Sequence, residues 1–374
     1  MKYAREITYI RQLCCLGLGG EAIIPAVFKA LHKLVPSSTQ TFFWLDIQGN
    51  IQKGYQQPFT PDLSKLYFSE FYGKRELEAW PGLKKLAAMP TGDVGFCIAL
   101  PDVDQKRFYQ SDFFNLYLRP RESDAPVYMR IRENKAVTGL ILLGRGVKNT
   151  AFTSSELELL DHLRAYLSHA LHRTVIDDIN YVDSGESGLL IVNPDSEIVF
   201  ISPHAKEILY YVDFPHSLGN AAQVLCSPKV SLPLQQMIKN LKDTFTNQVA
   251  RPPVLIYQNT WGKFIFRAYY LEQHSYFEIT DNTQYRQSLN NALIGISIQH
   301  QEPLPIKLMR NMQQLALSTR EKEICLLVVE GLSYPKISQR LTISVNTVKT
   351  IIESVYDKLG VSGQTALINK LMMN

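Results

Sequence analysis

The chain has 374 residues, 45% of them hydrophobic and 20% charged, with 39 Lys and Arg against 35 Asp and Glu. At roughly 100–200 residues per domain this length supports two or three domains, and the globular composition excludes long disorder. A net charge of +4 is too even to mark a nucleic-acid binder, so any electrostatic footprint has to be local.

Residues 3–35 read as helical, with a break at residues 17–20. Apolar residues alternate over 41–47, and Gln48-Gly49-Asn50 turns the chain back, which is a hairpin signal. Helices are expected over 62–72 and 81–89, then strands over 127–132 and 137–143 joined across Glu133-Asn134-Lys135. Phe152-Thr153-Ser154-Ser155-Glu156 opens a helix, with Ser154 or Ser155 as its N-cap. Leu157, Leu160, Leu163, Leu167 and Leu171 then fall three or four apart, and this helix, ending near Arg173, marks a domain boundary.

A second unit starts near Glu186, with strands over 188–192 and 197–201 around an Asn193-Pro194-Asp195-Ser196 turn. A helix over 202–211 and a less regular stretch follow, then a hairpin over 253–257 and 261–270, and a last strand over 293–298. Helix inserted between early and late strands of an antiparallel sheet describes an α+β domain.

Cys14, Cys15, Cys97, Cys226 and Cys325 are odd in number and show no CxxC spacing, so they read as reduced thiols of a cytoplasmic protein, used as small hydrophobes. The first twenty residues lack the apolar core of a signal peptide. No apolar run reaches the ~18 residues of a membrane span, so no membrane partner is expected.

Enzyme motifs do not emerge. Gly17-Leu18-Gly19-Gly20 lacks the context of a phosphate-binding loop. Asp177-Asp178 sits in a linker rather than at a first strand's end. His162, His169 and His172 share a helix without a completing carboxylate, and neither a metal nor any other cofactor is expected. The aromatics of the first unit, among them Phe42, Phe43, Trp44, Tyr55, Phe59, Tyr67, Phe68, Phe71, Tyr72 and Trp80, read first as a filled core and second as a ligand pocket.

The C-terminal residues carry the clearest signals. Ser318-Thr319-Arg320-Glu321 is a capping box, and Gly331 stands where a helix ends in the left-handed region. Ser333, with Pro335 in the first turn, opens a second helix, and Ser344 a third. On the third helix Val348, Ile351, Ile352, Val355 and Leu359 repeat as a core face. Asn346, Lys349, Thr350, Glu353 and Asp357 share the opposite face. An amide, an amine and a hydroxyl on the N-terminal half of such a helix suit base edges in a major groove, and its free amides suit phosphate. Lys336, Arg340 and Lys358 add charge nearby.

Three family resemblances follow from these residues. GLILLGRGVKNTAFTSSELELLDHLRAYLSHALHR resembles the last strand and terminal helix of a GAF domain. SGLLIVNPDSEIVFISPHAKEIL resembles the start of a PAS domain. The C-terminal segment is similar to the LuxR-type (GerE-like) helix-turn-helix of bacterial transcription regulators, through Leu317, Ser318, Arg320, Glu321, Glu323, Gly331, Leu332, Ile337, Leu341, Thr347, Val348, Tyr356, Leu359 and Gly360 among others. The expected fold class is two α+β sensory-type domains followed by an all-α four-helix domain. Its expected segments are a GAF-like unit over 1–173, a linker over 174–185, a PAS-like unit over 186–299, a connecting helix over 300–316 and a helix-turn-helix domain over 317–374.

The LuxR resemblance implies a recognition helix after Ser344. It implies DNA contacts from Ser333, Lys336, Ser344, Val345, Asn346, Thr347, Lys349, Thr350, Glu353 and Lys358. It also implies dimer contacts through Leu367 and Leu371 on the last helix. The expected partners are double-stranded operator DNA, a second copy of the chain, a small-molecule signal and RNA polymerase. The sequence departs from the family at Ile351 and Gln364, often His and Arg, at Lys336 and Ser338, often an acid and Ala, and at Glu353, often basic. An acid at 353 accepts from a cytosine amino group but repels phosphate. The alternative reading is an antagonist that dimerises with another regulator without binding DNA tightly.

Overall fold

The computed structural model describes residues 4–90, 92–133, 136–146, 151–171, 179–213, 230–245, 252–271 and 292–373. The expected turn residues Asn134 and Lys135, along with His172, Arg173, Asp177, Asp178 and Cys226, lie outside them.

Helices α1 (Ala4–Cys14) and α2 (Gly20–Leu34) flank the expected break. Strands β1 (Thr39–Leu45) and β2 (Ile51–Gln57) form the first hairpin. Helix α3 (Pro61–Leu66), continued by a π turn over Tyr67–Phe71, and α4 (Gly82–Ala88) come next. Two elements without an expected counterpart follow, β3 (Val94–Phe96) and α5 (Gln105–Gln110). Strands β4 (Val127–Glu133) and β5 (Ala136–Gly144) complete a five-stranded antiparallel sheet in the order β2-β1-β5-β4-β3, and α6 (Ser154–Leu171) packs across β3 and β4.

The N-cap of α6 is neither Ser154 nor Ser155. Thr153 Oγ1 accepts from the Glu156 amide at 3.3 Å while Glu156 Oε2 accepts from the Thr153 amide at 2.8 Å, a reciprocal capping box one residue earlier. Glu156 also takes Arg145 in a two-point ion pair, at 3.2 and 2.5 Å, which fastens the end of β5 to the start of α6.

In the second unit β6 (Tyr181–Val192) and β7 (Ile198–Ile201) precede α7 (Pro203–Asp213) and α8 (Leu232–Phe245). Strands β8 (Val254–Asn259), β9 (Gly262–Leu271) and β10 (Leu293–Pro303) close a second five-stranded sheet, ordered β7-β6-β10-β9-β8. Numbered within each unit, both sheets read 2-1-5-4-3. Gly188 lets α7 lie directly on β6, since a Cβ there would stand 2.6 Å from the Ala205 Cα.

The strands run past the expected limits. β6 occupies residues 181–185, expected as linker, and β10 continues beyond 299 to Pro303. Pairing of Gln301, Glu302 and Pro303 with Asp183, Val182 and Tyr181 extends the ladder past an irregularity near Gln299, so backbone bonding holds these residues in the sheet. The connecting helix is correspondingly shorter than 300–316: α9 is Leu304–Met312.

Four helices end the chain: α10 (Thr319–Val329), α11 (Tyr334–Leu341), α12 (Val345–Leu359) and α13 (Gln364–Met373). The architecture is two α+β units followed by an all-α region, the expected fold class.

The expected aromatic core is present. Phe42, Phe43, Tyr55, Tyr67, Phe71 and Trp80 are buried, while Trp44, Phe59, Phe68 and Tyr72 pack on them half-buried. A cavity of about 40 Å³ remains beside Phe43, Tyr67 and Trp80. Aromatics also join the two units: Phe59 stacks on Tyr210 with ring centroids 3.9 Å apart, and the Tyr210 hydroxyl accepts from the Gln56 amide at 2.8 Å. Cys14, Cys97 and Cys325 are buried free thiols, as expected, but Cys15 is exposed. Burial pushes the Cys14 and Cys325 thiols up to about 12, the opposite of what thiolate chemistry needs.

Candidate nucleic-acid interface

The three helices α10 to α12 are bounded by local chemistry. Ser318 Oγ accepts from the Glu321 amide at 3.3 Å and Glu321 Oε2 accepts from the Ser318 amide at 2.7 Å, which is the expected capping box. Gly331, at φ 82°, ends α10, with the Leu332 amide returning to the Leu327 carbonyl at 3.0 Å. Ser333 stands at the N-cap of α11 with extended backbone, but its side chain makes no capping bond, and Pro335 fills the first turn. Thr342, at φ 54°, makes the turn between α11 and α12 without a glycine. Ser344 caps α12 through the Thr347 amide at 3.0 Å, and Gly360, at φ 62°, ends it.

The core of this domain gathers Ile324, Val328, Ile337, Val348, Ile352 and Val355, all at most 2% exposed. Ile351 and Leu359, expected on the same face, are only half-buried, because they lie at its margins. Two charged residues tie the helices together. Arg320 pairs with Glu323 at 2.6 Å and donates to the Leu341 carbonyl at the end of α11 at 2.9 Å. Glu321 accepts from Lys358 Nζ at 2.7 and 2.9 Å and from Ser354 Oγ at 3.2 Å, both on α12. Burial alone would push the Glu321 carboxyl up, but the Lys358 and Ser318 hydrogen bonds outweigh it and hold the group down at about 2.

Lys358 is therefore engaged inside the domain and stands apart from the other candidate DNA contacts. The rest lie at the surface, Val345 in part. Ser344, Asn346, Thr347, Lys349, Thr350 and Glu353 are exposed along the N-terminal half of α12, with Val345 half-buried at its start. Lys336 and Ser333 are exposed on and before α11. Among the described residues no carboxylate forms a salt bridge with Lys336 or Lys349. The Thr350 hydroxyl donates to the Asn346 carbonyl at 3.1 Å, so toward a ligand it presents lone pairs. Arg320, one of the residues that carry the family resemblance, fixes the angle of α11 against α10.

Leu367 and Leu371 are not an exposed dimer seam. They are 1% and 0% exposed, because α13 packs against α9 of the same chain. Asn311 of α9 donates to the Leu371 carbonyl at 2.8 Å, and Gln364 donates to the Val328 carbonyl at 3.3 Å.

A short helix, a tight turn and a longer capped helix with a polar outer face define a helix-turn-helix. Residues 315–371 match the family of bacterial regulatory proteins, luxR family, and this segment is a LuxR-type helix-turn-helix domain. No curated protein matches the chain. Among solved structures, a GAF domain/HD domain protein from Geobacter sulfurreducens is similar at 14% identity, over 41% of this chain and 92% of that one, with a TM-score of 0.30. The E. coli DhaR(N)-DhaL complex is similar at 15% identity, over 78% and 87%, with a TM-score of 0.26. A Vibrio cholera VqmA-Ligand-DNA complex is similar at 14% identity, over 51% and 83%, with a TM-score of 0.23. At such scores none bears on what this chain does.

Among the described residues no helix is long and apolar enough to cross a membrane, and no group of three or more His, Cys, Asp or Glu is placed to hold a metal ion.

Proposed function

We propose that this chain is a sequence-specific, non-enzymatic regulator of transcription. Its C-terminal domain binds an operator in double-stranded DNA, and its two α+β units receive a signal. The observation that carries the reading is the exposed polar face of α12, where Asn346, Lys349 and Thr350 stand together over a helix N-terminus inside a LuxR-type domain. Lys336 extends the positive surface toward phosphate, while Lys358 supports α12 from behind through Glu321.

A homodimer on two half-sites suits a domain of this kind. Leu367 and Leu371 contribute to it only after α13 leaves α9. The undocked domain pairs and binds, and the docked one does not, so a signal that shifts this balance regulates the protein. Glu353 on the outer face favours a second reading, an antagonist that occupies another regulator without holding DNA.

The test is selection of bound genomic fragments by the full chain, followed by binding across salt concentrations. A regulator loses affinity linearly on a log–log scale as phosphate-bound counterions return. Lys349→Ala lowers that slope by about 1 if the amine meets a phosphate, or costs about 1–3 kcal/mol at one base position if it reads a guanine. Absence of any fragment bound at low salt selects the antagonist reading.

A further inference from the structure

A crevice of about 260 Å³ opens between α2, the second sheet and α9. Junctions of this kind, mostly apolar with a few convergent polar groups, are where small molecules bind. Tyr9, Pro25, Trp261 and Ile306 supply apolar wall. Buried His300 and half-buried Glu186 line it from the second sheet, and Lys29 and Lys33 from α2.

His300 is 7% exposed and stacks on Phe264, with ring centroids 4.9 Å apart. Its Nε2 lies 2.9 Å from the Trp261 carbonyl oxygen. A carbonyl only accepts, so Nε2 carries a proton, and in the neutral ring Nδ1 is an acceptor. That buried Nδ1 meets no hydrogen-bond partner, and Glu186 Oε2 stands 3.6 Å away. Glu186 carries a carboxylate, which only accepts. Two acceptors thus face one gap, and a buried acceptor without a donor is costly.

Helix α2 brings cations to the same crevice. Lys29 and Lys33 are four residues apart and share a helix face. Lys29 reaches Glu186 only at 3.5 Å, and Lys33 is exposed. Arg310, also in the wall, is taken by Glu302 at 2.6 and 2.5 Å. A cation alone would meet the lysines, and an anion alone would meet Glu186. A molecule carrying both charges a few ångströms apart satisfies both.

We propose that this crevice binds a free amino acid, with its ammonium between Glu186 and His300, its carboxylate toward Lys29 and Lys33, and its side chain against Trp261 and Ile306. The site rests on the regulator reading for its purpose, because it touches α9 at Ile306 and Arg310 and α9 carries α13 through Asn311. Filling the crevice sets the position of the helix on which the DNA-binding domain is docked.

The experiment is calorimetric titration of the full chain with the twenty common L-amino acids, and of each binder's deaminated and decarboxylated analogues. At least one amino acid binds with a dissociation constant below about 1 mM, and both analogues bind at least about tenfold more weakly. Glu186→Gln weakens binding about tenfold or more. Should that variant unfold, Lys29→Gln combined with Lys33→Gln, on the solvent side of α2, gives the same loss with an unchanged melting curve. No binding of any amino acid at about 10 mM, or equal binding by an analogue, overturns the site. Operator affinity is then measured with and without the bound amino acid. An unchanged affinity leaves the site standing and overturns its coupling to DNA.

Discussion

Arg130, in β4, has no solvent exposure, whereas Glu321 lies at the margin of a small helical domain and pairs with a lysine that is 43% exposed. Each ties together segments far apart in sequence. The Arg130 guanidinium donates to the carbonyls of Leu86, Met89 and Gly92, at 3.2, 2.5 and 2.8 Å, and pairs with Asp93 at 3.2 Å. It thereby holds the whole connection from α4 to β3 against the sheet. The Glu321 carboxylate gathers an amide, a hydroxyl and an ammonium from two helices. The difference lies in the solvent. Water can replace the exposed lysine that pairs with Glu321 and does not reach the Arg130 side chain itself, so one charge is indispensable to its unit and the other is an adjustment.

The largest effect is expected at Arg130. Arg130→Met keeps the volume and takes the guanidinium donor from the Leu86 and Gly92 carbonyls, while Met89 keeps Arg132 and Asp93 keeps Arg132 and Arg164, at a cost of about 2–4 kcal/mol. Urea unfolding followed by Trp44 and Trp80 fluorescence should show the first unit melting early while the helical domain keeps its own transition. A wild-type midpoint would erase the contrast.

Glu321→Gln is expected to cost about 1 kcal/mol, since glutamine still completes a capping box and only the charge toward Lys358 is lost. Thermal melting of the full chain, read on the C-terminal transition, checks this. A loss as large as that at Arg130 would show that the pair behaves as a buried one.

The smallest effect is a pH dependence. The folded carboxyl of Glu321 titrates at about 2, below the ordinary ~4.3 of an unfolded glutamate. The unfolded state therefore takes up the proton first. The contribution is fully present above about pH 4.3 and disappears as pH falls toward 2. Glu186 shares the window, so the readout is the difference between wild type and Glu321→Gln, which should shrink to zero across it. A difference that stays constant would place the stabilisation in packing instead.

What could be read from the sequence was what local chemistry decides. Ser318, Glu321, Gly331 and Ser344 bound their helices through groups three to five residues away, and all stand where the spacing puts them. The cap of α6 was ambiguous because Thr153, Ser154 and Ser155 offer three hydroxyls in a row, and only the backbone chooses. At three residues β3 is too short to show alternation. Helix α8 did carry a signal, since Leu234, Met237, Ile238 and Leu241 are buried at helical spacing, but Pro233 and the irregular surroundings masked it.

The site divides the same way. The polar face of α12 follows from a period of 3.6, and Asn346, Lys349, Thr350 and Glu353 are exposed as that period requires. The role of Lys358 depends on Glu321, 37 positions earlier, and the burial of Leu367 and Leu371 depends on α9. No window along the chain contains either pair.

The junction between β10 and α9 has no connecting residue. The strand ends at Pro303, the helix starts at Leu304, and the Leu304 amide is held by the Asn180 carbonyl at 2.8 Å. Glu302 and Arg310 brace the angle between them. Such a joint has no slack. Nine helical residues span about 13.5 Å, so a tilt of ten degrees at Pro303 swings the far end by roughly 2 Å. The sheet and the last helices are thus geared: the second unit cannot twist without carrying the seat of α13 along with it.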